Sequence, residues 1–379
     1  MKKICFITAV HGSAYAFLRE HMSILRNEYK VYYICNEPDV NNIKVPNDGY
    51  KCVDIQRKIS VVNDLKALWN LYRCFKAEKF DAVHSVTPKA GMLTAIAAFC
   101  ARVPVRIHIY TGQVWATRAG IMRCLLKYID KIPARLNTHL LVDGQSQRQF
   151  LINEGVLKEQ NSRVLANGSI CGVKLKNFIK SEYVKLNERE KFGIKPDDVV
   201  YIFLGRLNHD KGIGELYEAF NRMVIECPKA KLVFYGSDEE GYEAKSLNYP
   251  NIKRNINFFY PGRTSRPYDA LQGGDVFVLP TWREGFGSSV IEAQALALPV
   301  ITSDAYGVVD ASVEGITGLR CKVGDANGLY ECMKQYYFDA DLRKKHGIEG
   351  RKRVEELFAQ DLVTQAWVEF YKSLLQQKL

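Results

Sequence analysis

Two cations and two carboxylates in the C-terminal half of this 379-residue chain stand at spacings that suit an anionic, hydroxyl-bearing ligand. Behind the apolar run VVYIFLG come Arg206 and Lys211, five positions apart, in Arg206-Leu-Asn-His-Asp-Lys211-Gly212. Arginine offers a planar fork of donors and lysine a mobile point charge, so on a loop leading into a helix the pair suits a diphosphate. Two solvated surface charges are the plain alternative. Behind a second apolar run, DVFVLP, come Glu284 and Glu292, eight positions apart around Gly285-Phe286-Gly287-Ser288-Ser289. If a helix begins near Ser288, Glu292 lies one turn inside it and Glu284 stands before it. The glycines let backbone N–H groups approach a ligand, and Ser288 or Ser289 can cap the helix. Anionic oxygens would find free N–H donors there, while a carboxylate inside the helix can accept two hydrogen bonds from a vicinal diol such as a ribose.

The elements that hold these residues alternate in type. In the first half, strands are expected at 2–9, 29–35, 80–85, 105–110 and 139–143, with amphipathic helices at 14–25, 61–77, 90–101, 117–136 and 146–153 between them. Such an order predicts an α/β fold with a parallel, doubly wound sheet, whose ligands sit beyond the carboxyl ends of the strands. From Ala166 to Asp197 the pattern lapses into a polar, turn-forming stretch, read as the domain boundary. A second series follows, with strands at 199–205, 231–236, 256–260, 275–280 and 299–303 and helices from Gly214, Ser265 and Ser288. Three more helices, 326–338, 342–357 and 362–375, close the sequence. The expected division is 1–170, 171–360, and a helix over 361–379 that returns to the first domain.

Residues 1–176 hold 26 Lys and Arg against 13 Asp and Glu, whereas residues 177–379 hold 27 against 29. Between Asp81 and Asp130 there is no acidic residue. An anionic partner is therefore expected on the first half: nucleic acid, anionic lipid or a phosphate-bearing substrate. The segment Trp115 to Arg135 is amphipathic, with Ile121, Leu125, Leu126 and Ile129 against Arg118, Arg123, Lys127, Lys131 and Arg135. It suits an interfacial helix or a groove for a lipid diphosphate, and equally an ordinary charged surface helix. The ten cysteines show no metal-ligand or CxxC spacing and are read as buried apolar fillers in a reducing compartment. No stretch is apolar enough to span a bilayer, so a cytoplasmic protein, peripheral on the inner face of the plasma membrane, is expected.

In their order along the chain, GRLNHDKG, YGSDEEG, YPGRTSRPYDALQGGDVFVLPTWREGFGSSVIEAQALALPVI and EGITGL resemble the retaining glycosyltransferases of the GT-B fold that carry the E-x7-E motif. The first half is similar to their capsular and O-antigen polysaccharide branch through VHSVTPKAGMLTAIAA, YTGQVWATRAG, SQRQFLINEGV and LANGSICGV. The resemblance implies two Rossmann-like β/α/β domains facing a central cleft. It also implies transfer of an N-acetylhexosamine-type or related hexose from a UDP-sugar to a lipid-diphosphate-linked saccharide. Arg206 and Lys211 match the pair that neutralises the donor diphosphate. Glu284 matches the residue that contacts the donor sugar, and Glu292 the one that holds the ribose hydroxyls. The backbone of Gly285, Phe286 and Gly287 would bond sugar hydroxyls, and Ser288 with Ser289 the phosphates. Gly236, and Gly262 with Arg263, fall where base-binding loops lie.

Within the first half, His11-Gly12-Ser13 matches the family's first glycine-bearing loop, with one glycine where two are common. The family often has a histidine facing the reacting sugar; here the matching loop is Tyr110-Thr111-Gly112-Gln113, and His108 falls two residues early, inside its strand. His84, ending its own strand, is a candidate for touching an acceptor and equally for a core position. No cofactor or metal is expected: the donor is a substrate, and Asp339-Ala340-Asp341 reads as a helix cap. Arg206 and Lys211 would stabilise the charge that grows on the leaving diphosphate, and front-face displacement, with a donor phosphate oxygen taking the acceptor proton, is what the resemblance implies. Two rival readings remain. One is a nucleotide-sugar epimerase of the same architecture, which would need no acceptor. The other is a basic nucleic-acid or membrane-surface binding protein, for which no recognition helix, zinc spacing or aromatic RNA-binding signature is found, so no nucleic-acid partner is expected.

Overall fold

Each half of the sequence builds its own parallel sheet, because its strands are apolar runs that bury both faces. The computed structural model describes residues 1–56 and 60–376. The chain divides into Met1–Gly172 with Gln360–Leu379, and Val173–Ala359. The first unit holds β1 (Lys3–Ile7), β2 (Lys30–Cys35), β3 (Gly49–Cys52), β4 (Ala82–Val86), β5 (Val105–Tyr110), β6 (His139–Val142) and β7 (Ser162–Arg163), in the order β3-β2-β1-β4-β5-β6-β7. The second holds β8 (Val199–Leu204), β9 (Ala230–Tyr235), β10 (Phe258–Gly262), β11 (Val276–Leu279), β12 (Val300–Ser303) and β13 (Gly318–Cys321), in the order β10-β9-β8-β11-β12-β13. In both sheets the connections run one way from the first strand and the other way from its later neighbour. The carboxyl ends of β1 and β4, and of β8 and β11, are therefore switch points where a crevice opens.

Alternation along β1 shows how the first unit is layered. Ile4 and Phe6 face one core with Val363, Trp367 and Tyr371 of the helix Gln360–Leu375, while Cys5 and Ile7 face another with Leu71 and Phe75 of the helix Val61–Glu78. Trp367 is fully buried between two parallel imidazoles, His21 at 4.4 Å and His84 at 5.0 Å. Burial holds both histidines neutral, His21 at about 4 and His84 well below its ordinary value. Trp367→Ala should therefore destabilise the first unit by about 3–5 kcal/mol. Calorimetry should show this as a lower-melting transition that leaves the second unit's melting unmoved.

Several expectations need correction. The helix expected over 14–25 is two, His11–Phe17 and Arg19–Leu25. Strands β3, β7 and β13 were not anticipated, being edge strands without an apolar run, GYKC, SR and GLRC. The polar stretch 166–197 contains the helix Glu182–Glu190, whose Ser181 cap accepts from Val184 N and whose Lys185 and Arg189 hold Asp275 at 2.9 and 2.5 Å. The helix expected from Ser265 is the single turn Pro267–Ala270. Five cysteines are buried as expected, but Cys52, Cys100 and Cys124 are exposed. Among the described residues no helix is long and apolar enough to cross a membrane.

Candidate active site

The loops that follow β8 and β11 are laced together at the switch point of the second sheet. Gly212 has φ +70°, and a Cβ there would lie 2.0 Å from the Pro280 carbonyl, so the first loop can press onto the second only with glycine. The Asp210 carbonyl accepts from Thr281 Oγ1 at 2.7 Å and from Trp282 N at 2.8 Å, and the Asp210 carboxylate holds Arg283 at 2.5 Å. Gly307, with φ +82°, brings the loop after β12 under the same turn, since a Cβ there would sit 2.4 Å from the Glu284 carbonyl. This lacing fixes the backbone from which Lys211 and Glu284 project. Their side chains form an ion pair, 16% and 14% exposed.

Arg206 begins the same loop but turns to the loop after β9. Its guanidinium reaches Glu239 at 3.0 Å, and Asn208 Nδ2 donates to the same carboxylate at 2.9 Å. Its side chain remains 51% exposed. Asp238 shapes this turn by accepting from the amides of Glu240, Tyr242 and Glu243. Burial works against its charge, but those donors hold its carboxyl below the ordinary range.

Glu292 stands one turn into the helix Ser288–Ala295. It is partly buried and has no hydrogen bond or ion pair among the described residues, and desolvation pushes its carboxyl up to about 7. The cap of this helix is Gly287, with φ +91°, rather than Ser288 or Ser289, which occupy the first helical positions. No side chain caps the helix. The amides of Gly285 to Ser289 therefore lack acceptors among the described residues. The Phe286 ring is fully buried against Phe358, leaving only its backbone at the turn.

Three glycines end the strands on the other side of the switch point. Gly205 N donates to Tyr235 O and Gly236 N to Gly262 O, both at 2.9 Å, and a Cβ on Gly236 would meet the Gly205 carbonyl at 1.6 Å. The ends of β8, β9 and β10 thus form a shelf free of side chains. Arg263, just beyond it, is exposed and makes no ion pair among the described residues, and it lines a pocket with Tyr235 and Thr264. A separate cavity lined by Lys185, Asp275, Pro299 and Arg343 lies at the opposite, amino ends of β11 and β12.

Of the residues singled out in the sequence, the fold joins Lys211 to Glu284 directly and sets Arg206 on the same loop but facing Glu239. Asp210 and Glu239 were missed. The signal for both was present, as acidic residues in loops that follow strands. Gly12 belongs to the first unit, in the opening turn of His11–Phe17, with open space where a Cβ would be. His84 is wholly buried, with Nδ1 2.6 Å from Tyr371 Oη, and takes the core position. His108 is buried in β5, 3.0 Å from Ser85 Oγ. Asp339 caps the helix Ala340–Leu357 by accepting from Leu342 N at 2.8 Å.

Comparison with known proteins places the chain among sugar-transferring enzymes. Residues 184–353 match the family described as glycosyl transferases group 1, and residues 3–129 match glycosyl transferase 4-like. The capsular polysaccharide biosynthesis glycosyltransferase CapM of Staphylococcus aureus is 31% identical over 99% of this chain and 98% of its own length. The N,N'-diacetylbacillosaminyl-diphospho-undecaprenol alpha-1,3-N-acetylgalactosaminyltransferase of Campylobacter jejuni is 25% identical over 98% and 99%. Among solved structures, Anabaena Alr3699/HepE in complex with UDP and glucose superposes with a TM-score of 0.82 at 16% identity, over 98% of this chain and all of that one. The two parallel sheets are thus the two Rossmann-like domains of a GT-B fold.

Proposed function

The chain belongs to the glycosyl transferases group 1 family, and on that premise we propose that it moves a hexose or N-acetylhexosamine, with retention, from a UDP-sugar to a lipid-diphosphate-linked saccharide during capsule or O-antigen assembly. One observation carries the reading: an ion pair of Lys211 and Glu284, and an unpartnered Glu292, arise from loops and a helix at one switch point. Support for the acceptor comes from relatives that act on diphospho-undecaprenol-linked sugars. Support for the nucleotide comes from a structural neighbour holding UDP.

In this reading Arg206 and Lys211 neutralise the diphosphate and stabilise its growing charge as the glycosidic bond breaks. Glu284 is released from Lys211 by the incoming phosphates and turns to the donor sugar. Glu292 accepts the ribose hydroxyls, and the free amides of Gly285 to Ser289 meet sugar hydroxyls and phosphate oxygens. Gly236, Gly262 and Arg263 frame the base, and Gly12 takes the place of the family's first glycine-bearing loop. No metal is needed for the leaving group, and no nucleic acid is a partner.

Titration with UDP, UDP-, GDP- and TDP-sugars and duplex DNA tests the proposal. UDP and a UDP-sugar should bind and raise the melting temperature, and duplex DNA should not. Turnover of a UDP-sugar without any acceptor would replace transfer by epimerisation. Within the site, Glu239 competes with the diphosphate for Arg206. Glu239→Gln should therefore tighten UDP by up to about fivefold, the range of an exposed ion pair, and leave uridine affinity unchanged.

A further inference from the structure

Three helices of the first unit, Val61–Glu78, Pro88–Ala101 and Gly120–Leu136, lie side by side over one face of its sheet. A surface helix ordinarily turns charges outward. Here two of them set apolar side chains outward as well, beside the exposed Lys66, Arg73 and Lys76 of Val61–Glu78. On Val61–Glu78 the buried Ala67, Leu71 and Phe75 face the sheet, which places Val62, Leu65 and Trp69 on the opposite side. On Gly120–Leu136 the residues Asp130 and Pro133 are buried, and Ile121, Leu125 and Tyr128 point away.

These six apolar side chains are between 48% and 88% exposed. Two of the cations named for Gly120–Leu136 are elsewhere: Arg123 and Lys127 turn inward, to Glu154 at 2.7 and 2.6 Å and to the Trp115 ring. The middle helix, PKAGMLTAIAAFCA, has Lys89 as its one charge, and that is paired with Asp64 at 2.7 Å.

Charge at the margins says what covers this layer. Lys66, Arg73, Arg118 and Arg135 are exposed and make no ion pair among the described residues. The acidic residues of the layer are already engaged or withdrawn: Asp64 with Lys89, Glu78 with Lys3, and Asp130 buried with Trp115. The whole unit carries 26 Lys and Arg against 15 Asp and Glu, and the second unit 27 against 27. An apolar face with a tryptophan and a tyrosine, bordered by cations without carboxylates, matches an anionic bilayer surface.

We propose that the outer faces of Val61–Glu78 and Gly120–Leu136 insert into the headgroup region of an anionic membrane, bringing the enzyme to its lipid-linked acceptor. This rests on the transferase reading for its purpose, though not for its test. Flotation of the full chain with phosphatidylglycerol-containing and pure phosphatidylcholine vesicles should show binding to the first that weakens, without vanishing, between about 0.1 and about 0.5 M salt. Leu65→Ser/Trp69→Ser and Ile121→Ser/Leu125→Ser should each cut partitioning at least tenfold, with UDP affinity unchanged. Lipids brominated near the headgroups should quench Trp69, a signal that Trp69→Phe removes. Parent-like flotation of both double variants, an unquenched Trp69, or binding abolished by salt would overturn insertion. So would a parent dimer in sedimentation that the double variants dissolve, since the face would then belong to a second copy. Loss of UDP binding with intact flotation would sink the UDP-sugar reading of the site and leave this surface standing.

Discussion

Glu284→Ala is expected to lower kcat by at least about 10³-fold, in the range lost when a preorganised transition-state contact is removed. UDP should nevertheless bind within a few-fold of the parent, and more tightly if anything. The reason lies in the ligand-free ion pair. Glu284 neutralises Lys211 in a setting where both are largely withdrawn from water. Removing the carboxylate leaves an uncompensated cation, which costs stability in the free enzyme and attracts phosphate. The variant should therefore melt lower than the parent alone and gain more on adding UDP. Initial rates with a lipid-linked acceptor, calorimetric UDP affinity and melting curves together check this. Near-parental turnover would show that Glu284 does not meet the donor sugar.

Glu292→Gln should act in opposite directions on stability and on binding. Burial raises the Glu292 carboxyl from 4.5 to about 7, so the folded state holds a proton that the unfolded state gives up. This favours folding fully below pH 4.5 and is lost as the pH rises through about 7. At pH 8 the parent holds an ionised, half-buried carboxylate, and glutamine should stabilise the protein by at most about 3 kcal/mol. At pH 4.5 the two should melt alike. For binding, the proposed contact of Glu292 with the ribose hydroxyls needs the ionised form as acceptor. The affinity of the parent for UDP-glucose, whose phosphates take no proton in this range, should therefore rise about tenfold from pH 6 to 8. The glutamine variant should bind more weakly and show no such slope. A flat profile in the parent would detach Glu292 from the ribose.

What the sequence made legible followed from period and spacing. The apolar runs at 199–204 and 276–279 announced the strands, and their carboxyl ends announced where Lys211 and Glu284 would meet. The short β3, β7 and β13 were hidden because they are edge strands of mixed composition, GYKC, SR and GLRC, with no apolar run to announce them. The Gly287 cap was hidden because a positive φ competes with serine chemistry only once the backbone is seen. For Gly120–Leu136 the sequence left an interfacial helix and an ordinary charged surface helix equally open. What sets its outer face lies outside the helix, where Trp115 and Glu154 draw Arg123 and Lys127 inward. Arg206 turned toward Glu239 through a contact spanning 33 residues, which no local pattern could disclose.

The helix Gln360–Leu375 supplies Trp367 to a socket whose walls, His21 and His84, are among the earliest residues made. On the ribosome, Val173–Ala359 emerges before that tryptophan does, so the second unit can finish folding while the first still lacks its wedge. Nascent β1, β2 and β4 must wait with an apolar slot open, which makes this interval the one in which a chaperone has something to hold. Translation thus delivers the second unit first and seals the first unit afterwards, so an arrested chain lacking residue 367 would carry finished second-unit loops on an unfinished first unit.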